Sequence, residues 1–541
     1  TSFVNVSSAA DLQSALNAAQ CGQSISVQAG VQYDGNFTVP ALACPSSSPV
    51  LVVSSAIGSI PQYTIPVRTL AGSSSVPTLA TPNDLPVLQI SDGAAGWYFA
   101  GIEFTLTPSA NSVYPIVAMG DATTSVAALP AYITFDRCLV HPSSTITNYV
   151  RGGIDLSAVY GAVIFSNIWG IIAVSQDTQA INIQNTTGPI LISNNDLEAT
   201  GENVMTNTSC VATGYAGSGI PSCPAPSDIT VTRNHFIKQA SWQNAPAGCI
   251  SGGSPSCYDV KNSLECKMCQ RELIDSNWFD TTFAEAQAEF VIMNCPGGTL
   301  GSSPYYCSDW TVTNNLFEHG PSLGALAGLG NSQSGQRILF RNNLAIDLSG
   351  VTWGGIGTTF QIENTNGFIA DHNTFINTPP LYLNGLEFDD PPPSTDTNFQ
   401  YTNNFQYGSP AADAMSPGQT IATLPDPTLA ATIFVGDYWP NIAPWDPPGT
   451  PAYPAGVIAL SSTATPVSGQ PACNYENKPI PQCWPLDWAL VGFVDFTGGN
   501  AGTDLPGMAL SATSPYHNAA SDGTDIGANV SAVLAAVKGV N

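Results

Sequence analysis

The chain has 541 residues, with 12 basic and 39 acidic side chains, a formal charge of -27, 49 glycines and 43 prolines. So much Gly and Pro excludes a coiled coil or helical bundle, and no apolar run reaches the roughly 18 to 20 residues of a membrane span. A chain this negative repels nucleic acid and anionic membranes, and a surface of Ser, Thr, Asn and Gly in place of Lys and Arg suits an acidic exterior.

The sequence starts at Thr1 without Met or an apolar leader, which predicts a signal peptide already removed and a secreted or cell-surface protein. Residues 10–20 place Leu12, Leu16 and Ala19 on one helical face, predicting a helix that caps the open end of a stack of strands. Most of the 13 cysteines form close pairs, as an oxidising compartment favours: Cys21/Cys44, Cys210/Cys223, Cys249/Cys257, Cys295/Cys307 and Cys473/Cys483. Cys266 and Cys269 read as a sixth bridge, leaving Cys138 as the odd, buried, reduced thiol. Sequons at Asn5, Asn36, Asn185, Asn207 and Asn529 permit glycosylation.

Farther along the chain a motif recurs, apolar-x-apolar-x-x-Asn-x-apolar, with its Asn or Asp at Asp136, Asn167, Asn195, Asn234, Asn277, Asn315, Asn343, Asn373 and Asn404. Alternation before each Asn marks a strand with one buried face, and a unit of about 30 residues buries that face only by stacking on its neighbours. The expectation is all-β, a parallel β-helix (solenoid) over residues 1–408 with an Asn ladder at one corner. From about Ser409 the motif fades into a Pro-rich, irregular C-terminal segment, 409–541, packed on the coils, with a last cap near Ser514 to Val530.

The long coils lie between about Asn195 and Asn315, where added loops predict a groove for an extended ligand. Five of the 12 basic residues, Arg233, Lys238, Lys261, Lys267 and Arg271, fall there, which fits either a patch for an acidic glycan or ion pairs with Glu202, Glu265 and Glu272. The position three after the ladder carries Glu198, Asp280 and Glu318, whose spacing across coils suits a glycosidase carboxylate pair or solvated or Ca²⁺-binding carboxylates. Glu272 occupies an inward column, where a bulge turning Leu273 inward is the simpler expectation. Trp242, Trp278, Tyr305 and Tyr306 suit either stacking on sugars or packing under loops.

The runs DTQAI, NNDLEATGENVM, PSDITVTRNHFIK, VKNSLECK, FAEAQAEFVIM and SDGTDIGANV resemble a large group of secreted bacterial right-handed parallel β-helix proteins within the pectate-lyase-like superfamily. The resemblance implies right-handed coils and a polysaccharide partner. Its motif residues fall here on Asp177, Glu198, Glu202, Asn203, Arg233, His235, Lys238, Lys261, Asn262, Glu265 and Gln287. The vWIDH and RxPxxR runs of pectate lyases are absent, as is the polygalacturonase set of NTD, DD, GHG and RxK.

The residues support a lyase on a uronate-containing glycan, with Lys238 or Lys261 as base, Arg233 on the carboxylate, His235, Trp242, Lys267, Arg271 and Gln287 binding substrate, and Glu198, Glu202 or Glu265 holding Ca²⁺. Two alternatives stand beside it: a glycoside hydrolase using Asp280, Glu318 or Glu198, and a non-catalytic adhesive or filament-forming oligomer.

Overall fold

A computed structural model of the chain describes residues 3–540 except 121–125, 144–148, 208–225, 246, 250–255, 295–298, 301–302, 305–306, 328–334, 356, 378–383, 389–395, 408, 413–423, 425–426, 436–487 and 498–504. The fold is a right-handed parallel β-helix. Each coil runs through three strands that join three sheets in turn, here called the first, second and third sheet. One coil, for example, passes from Ile190–Ser193 in the first through Asp196–Ala199 in the second to Glu202–Asn207 in the third. Two compact units are present, one of Thr1–Leu273 with Thr299–Ser303 and Gly539–Asn541, the other of Ile274–Gly298 with Pro304–Lys538.

In unit 1 the cap is a helix over Ala9–Asn17, started by Ser8, whose hydroxyl accepts the Asp11 amide, with Leu12 and Leu16 buried. Neighbouring strands pair in parallel, Val163 with Ile192 and Ile192 with Val231, and these side chains fill the interior. The register corrects two ladder positions. Because Phe135 pairs with Val163 and Val163 with Ile192, the residues stacked below Asn195 are Ser166 and Cys138, not Asn167 and Asp136. Ser166 N donates to Asn195 Oδ1 at 2.8 Å, and Cys138 N donates to Ser166 Oγ at 3.1 Å. A hydroxyl accepts a backbone N–H as an amide oxygen does, so the ladder survives a change of residue type. Among the described residues Cys138 is the free, buried cysteine, at the corner rather than in the apolar column, and burial pushes its thiol up to about 12.

In unit 2 the ladder is an unbroken amide stack. Each side chain from Asn277 through Asn315, Asn343 and Asn373 donates to the Oδ1 of the next, ending at Asn404, over 2.9 to 3.1 Å. The residue before each ladder position adopts left-handed φ, +56° at Asn314 and +54° at Asn342, which explains the Asn found there. Thr428–Ala430 and Ile433–Val435 add strands one coil beyond the point where the motif fades. A second capping helix, Val530–Ala536, is started by Asn529.

Disulfides Cys21–Cys44, Cys249–Cys257 and Cys266–Cys269 are present and Cys307 is bonded, while Cys210, Cys223, Cys295, Cys473 and Cys483 lie outside the described residues. No helix among the described residues is long and apolar enough to cross a membrane.

Candidate functional site

Unit 1 collects charged side chains in two places. On the second sheet, the loop that carries a short helical turn, Arg68–Leu70, lies over the strands, its cover anchored by the apolar cluster of Ile60, Val76 and Leu139. It brings Arg68 onto Glu198 at 2.7 Å and Asp196 at 3.2 Å, with its guanidinium over the Trp169 ring. Glu198 also accepts from Gln239 at 2.6 Å and from Gly170 N at 3.1 Å. His235 pairs with Asp196 at 3.1 Å, and His141, stacked on Trp169, pairs with Glu103 at 3.1 Å. Glu103 is further bonded by Gly72 N and Thr78. Against the opposing effect of burial, these partners hold Asp196 and Glu103 below the ordinary carboxylate range.

The second place is the third sheet, built from Gln179–Gln184, Glu202–Asn207 and Leu264–Cys266. The entry turn is tight, since a Cβ on Gly201 would lie 2.3 Å from Thr178 O. After it, Asn203 N and Val204 N both donate to Ser263 O, a bulge that splits the side chains. Asn203 turns to the corner and donates to Leu197 O and Ile237 O. Glu202 accepts from Gln179 at 2.7 Å and lies 3.7 Å from the Lys261 ammonium. Lys261 is also 2.6 Å from Asp177, and Lys267 is 3.8 Å from Glu265.

Glu202 and Glu265 are fully buried, and neither carboxylate oxygen of Glu265 has a hydrogen-bond partner among the described residues. Burial, and then the charge of Glu202, pushes Glu265 up to about 8, against the pull of Lys267 and Lys261. Burial alone would lower Lys261, but Glu202 and Asp177 outweigh it and raise this ammonium above the ordinary lysine value. Asp259, beside Asp177, is raised by burial and by that neighbour's charge. The ammonium-bearing side chains remain 17% and 29% exposed and Asp177 45%, so two cations and a carboxylate form the rim above a buried acid pair.

The other expected site residues go elsewhere. Lys238 is 1% exposed, and its ammonium donates to Ala199 O, Thr200 O, Gly201 O and Asn203 Oδ1. Burial lowers it to about 7, with Glu202 and Glu198 opposing, yet a group enclosed by backbone carbonyls tethers a turn and meets no polymer. Arg233 sits at the ladder corner with left-handed φ, bonded to Asn194, apart from Lys261. Arg271 forms a two-bond pair with Asp228. Trp242 is buried in a short helical turn, Ala240–Trp242. Most of the cation cluster is therefore internal pairing.

Glu272, not Leu273, is the buried one of the two, so the expected bulge is absent; Leu273 is 38% exposed. Glu272 lies with Cys266 and Cys269 within ligand reach of one ion, but those sulfurs are joined in a disulfide. The three carboxylates expected to hold Ca²⁺ do not fit that ion. Glu198 belongs to the second-sheet group, and ammonium groups already stand beside Glu202 and Glu265, whereas Ca²⁺ takes roughly six to eight oxygens.

In unit 2, Phe279 pairs with Phe317, which puts Asp280 and Glu318 on adjacent coils as the spacing predicted. Asp280 is bonded by His319 at 2.9 Å, and Glu318 is buried. Gln287 is half-buried in this unit, and Trp278 lies here too. Tyr305 and Tyr306 lie outside the described residues. Sequence reasoning missed Arg68, Glu103 and His141, which no motif marks because the loop that gathers them is far away in the chain.

No family model matches the chain, and no curated protein matches it. Among solved structures, it is similar to the PL6 family alginate lyase AlyGC, with 10% identity over 80% of this chain and 47% of that one and a TM-score of 0.39. It is similar to pectate lyase Pel9A at 11% identity, covering 95% of this chain and 89% of that one with a TM-score of 0.28. A third likeness is to the A-module of the Azotobacter vinelandii mannuronan C-5 epimerase AlgE6, at 10% identity, 79% and 94% coverage and a TM-score of 0.35. The chain spans about half the length of the first of these. Likenesses this distant carry no argument about activity.

Proposed function

We propose that the chain is a secreted enzyme that cleaves a uronate-containing polysaccharide by β-elimination at the third-sheet site of unit 1. The observation that carries this reading is the buried Glu202–Glu265 pair directly behind the ammonium groups of Lys261 and Lys267. Neutralising the uronate carboxylate is the first requirement of elimination, since it acidifies the hydrogen on the adjacent carbon. Lys261 and Lys267 suit that task, and Lys261, raised rather than lowered, is a charge partner and not the base. The exposed Asp177 carboxylate beside Lys261 takes the C5 proton, the C4–O bond breaks to leave a C4=C5 double bond, and solvent returns a proton to the departing oxygen, while the buried acid pair acts from behind the cations without touching the polymer.

The assay is unsaturated product, read by its ultraviolet absorbance, from a panel of polyuronates such as polygalacturonate and alginate. Appearance of that product, lost in Lys261→Ala, is the expected result. Reducing ends without unsaturation would transfer the reaction to a hydrolase using Asp280 and Glu318, and binding without turnover would leave a non-catalytic surface solenoid.

A further inference from the structure

In unit 2 the C-terminal segment and the coils beneath it flank an open cavity of about 810 Å³ that takes no part in the proposed reaction. The segment is fastened by its backbone: Ser521 N donates to Asn403 Oδ1, Gly527 N to Asn403 O and Asn529 N to Asn342 Oδ1, at 2.7 to 2.8 Å. Phe493 gives the cavity an apolar side, its ring meeting the buried Phe405 edge to face at 5.9 Å. Arg341, His517, Asp522 and Asp525 give it a polar one.

These polar groups retain bonding capacity. Arg341 reaches Asp371 through Nε at 3.3 Å, and among the described residues its two terminal nitrogens have no partner. Asp525 uses one oxygen for His517 Nδ1 at 2.7 Å and Asn518 N at 2.8 Å; Asp522 uses one for Thr524. The second oxygen of each carboxylate, like His517 Nε2, has no partner among the described residues.

We propose that this cavity binds a neutral pyranose unit of a glycan. An aromatic side takes the C–H face of a sugar ring, and planar groups with two acceptors or two donors match vicinal hydroxyls. Its size is that of an ordinary ligand pocket. An acidic sugar fits less well, because its carboxylate would face Asp522 and Asp525 with Arg341 already shared with Asp371. No residue of the Lys261 site takes part, so sugar binding here stands apart from the elimination reading.

The test is calorimetric titration of the full chain with cellotriose, mannotriose and trigalacturonate, supported by saturation-transfer NMR. At least one neutral trisaccharide should bind, and Arg341→Gln and Asp525→Asn should each weaken it by about tenfold or more while the melting temperature stays close to wild type. Phe493→Ala should weaken it as well, and Lys261→Ala should leave it unchanged. The proposal is overturned if neither neutral trisaccharide binds, if only trigalacturonate binds, or if both polar variants bind as wild type does.

Discussion

On the outer side of the second sheet in unit 1, Arg68, Gln239 and Gly170 N satisfy Glu198, and His235 and His141 each meet a carboxylate. On the third sheet of the same unit, two buried carboxylates have ammonium groups at 3.7 and 3.8 Å, and neither oxygen of Glu265 has a hydrogen-bond partner among the described residues. Both places are rich in charge, and the first is a closed network held under a loop. The second stores an unfavourable like-charge contact and keeps its cations partly in water. Charge count does not separate a structural network from a reactive one. On the proposed function, unspent hydrogen-bonding capacity and a carboxyl group raised to about 8 mark the third-sheet group as the reactive one.

The most severe test of this contrast is to remove one cation from each place. Lys261→Ala should lower the rate of unsaturated product formation by about 10² to 10⁴, the usual range for a lost acid–base or charge partner, whereas Arg68→Ala should change it by less than about threefold and act on melting temperature. Equal losses in both would erase the distinction.

Next in size is Lys238→Met. It strands four acceptors around a buried site and should cost about 3 to 5 kcal/mol in denaturant unfolding. A variant that keeps wild-type stability yet loses activity would make Lys238 a reacting group.

The pH dependence separates the two places further. Glu265 is raised, so its burden is absent below the ordinary value near 4.5 and grows as pH climbs toward about 8. Rates should also fall as pH rises through about 8, where Glu265 loses its proton and its charge competes for the cations, and Glu265→Gln should flatten both the rate and the stability profile in that range.

In unit 2 the hydrogen bonds from His319 to Asp280 and from His372 to Asp371 raise both histidines. Their contribution is complete below about 6.5 and lost as pH rises through the raised values. Asp371 is affected by burial, but bonds from His372, Thr402 and Asn403 prevail and hold it at about 2, so its contribution is present above 3.8 and lost as pH falls through about 2. Melting temperature should therefore be highest between about pH 4 and 6.5.

The smallest effect concerns Cys138. One thiol should react with a thiol reagent only after denaturation, and Cys138→Ser should fold with little change, because a hydroxyl already serves at this corner one coil away in Ser166.

The solenoid is written in the amino-acid order alone, because a coil cannot bury its apolar face by itself and so repeats the same alternation and the same corner residue at each turn. The N-terminal cap and three of the cysteine pairings are legible in the same way, being local in the chain. Ladder register was misread where Ser166 and Cys138 replace Asn, since a backbone N–H donates to any acceptor that fits and leaves no pattern to count. The site was legible only in part. Glu202, Lys261, Glu265 and Lys267 were named from the sequence, but in company with Lys238, Arg233 and Glu198, whose side chains the coil sends to an interior turn, a ladder corner and another sheet. The partner that claims Glu198 arrives on a loop that carries Arg68 across 130 residues of sequence. Which charges are spent on one another and which remain for a substrate is a matter of a few ångströms between coils, and such distances are set by the stacking of the folded chain.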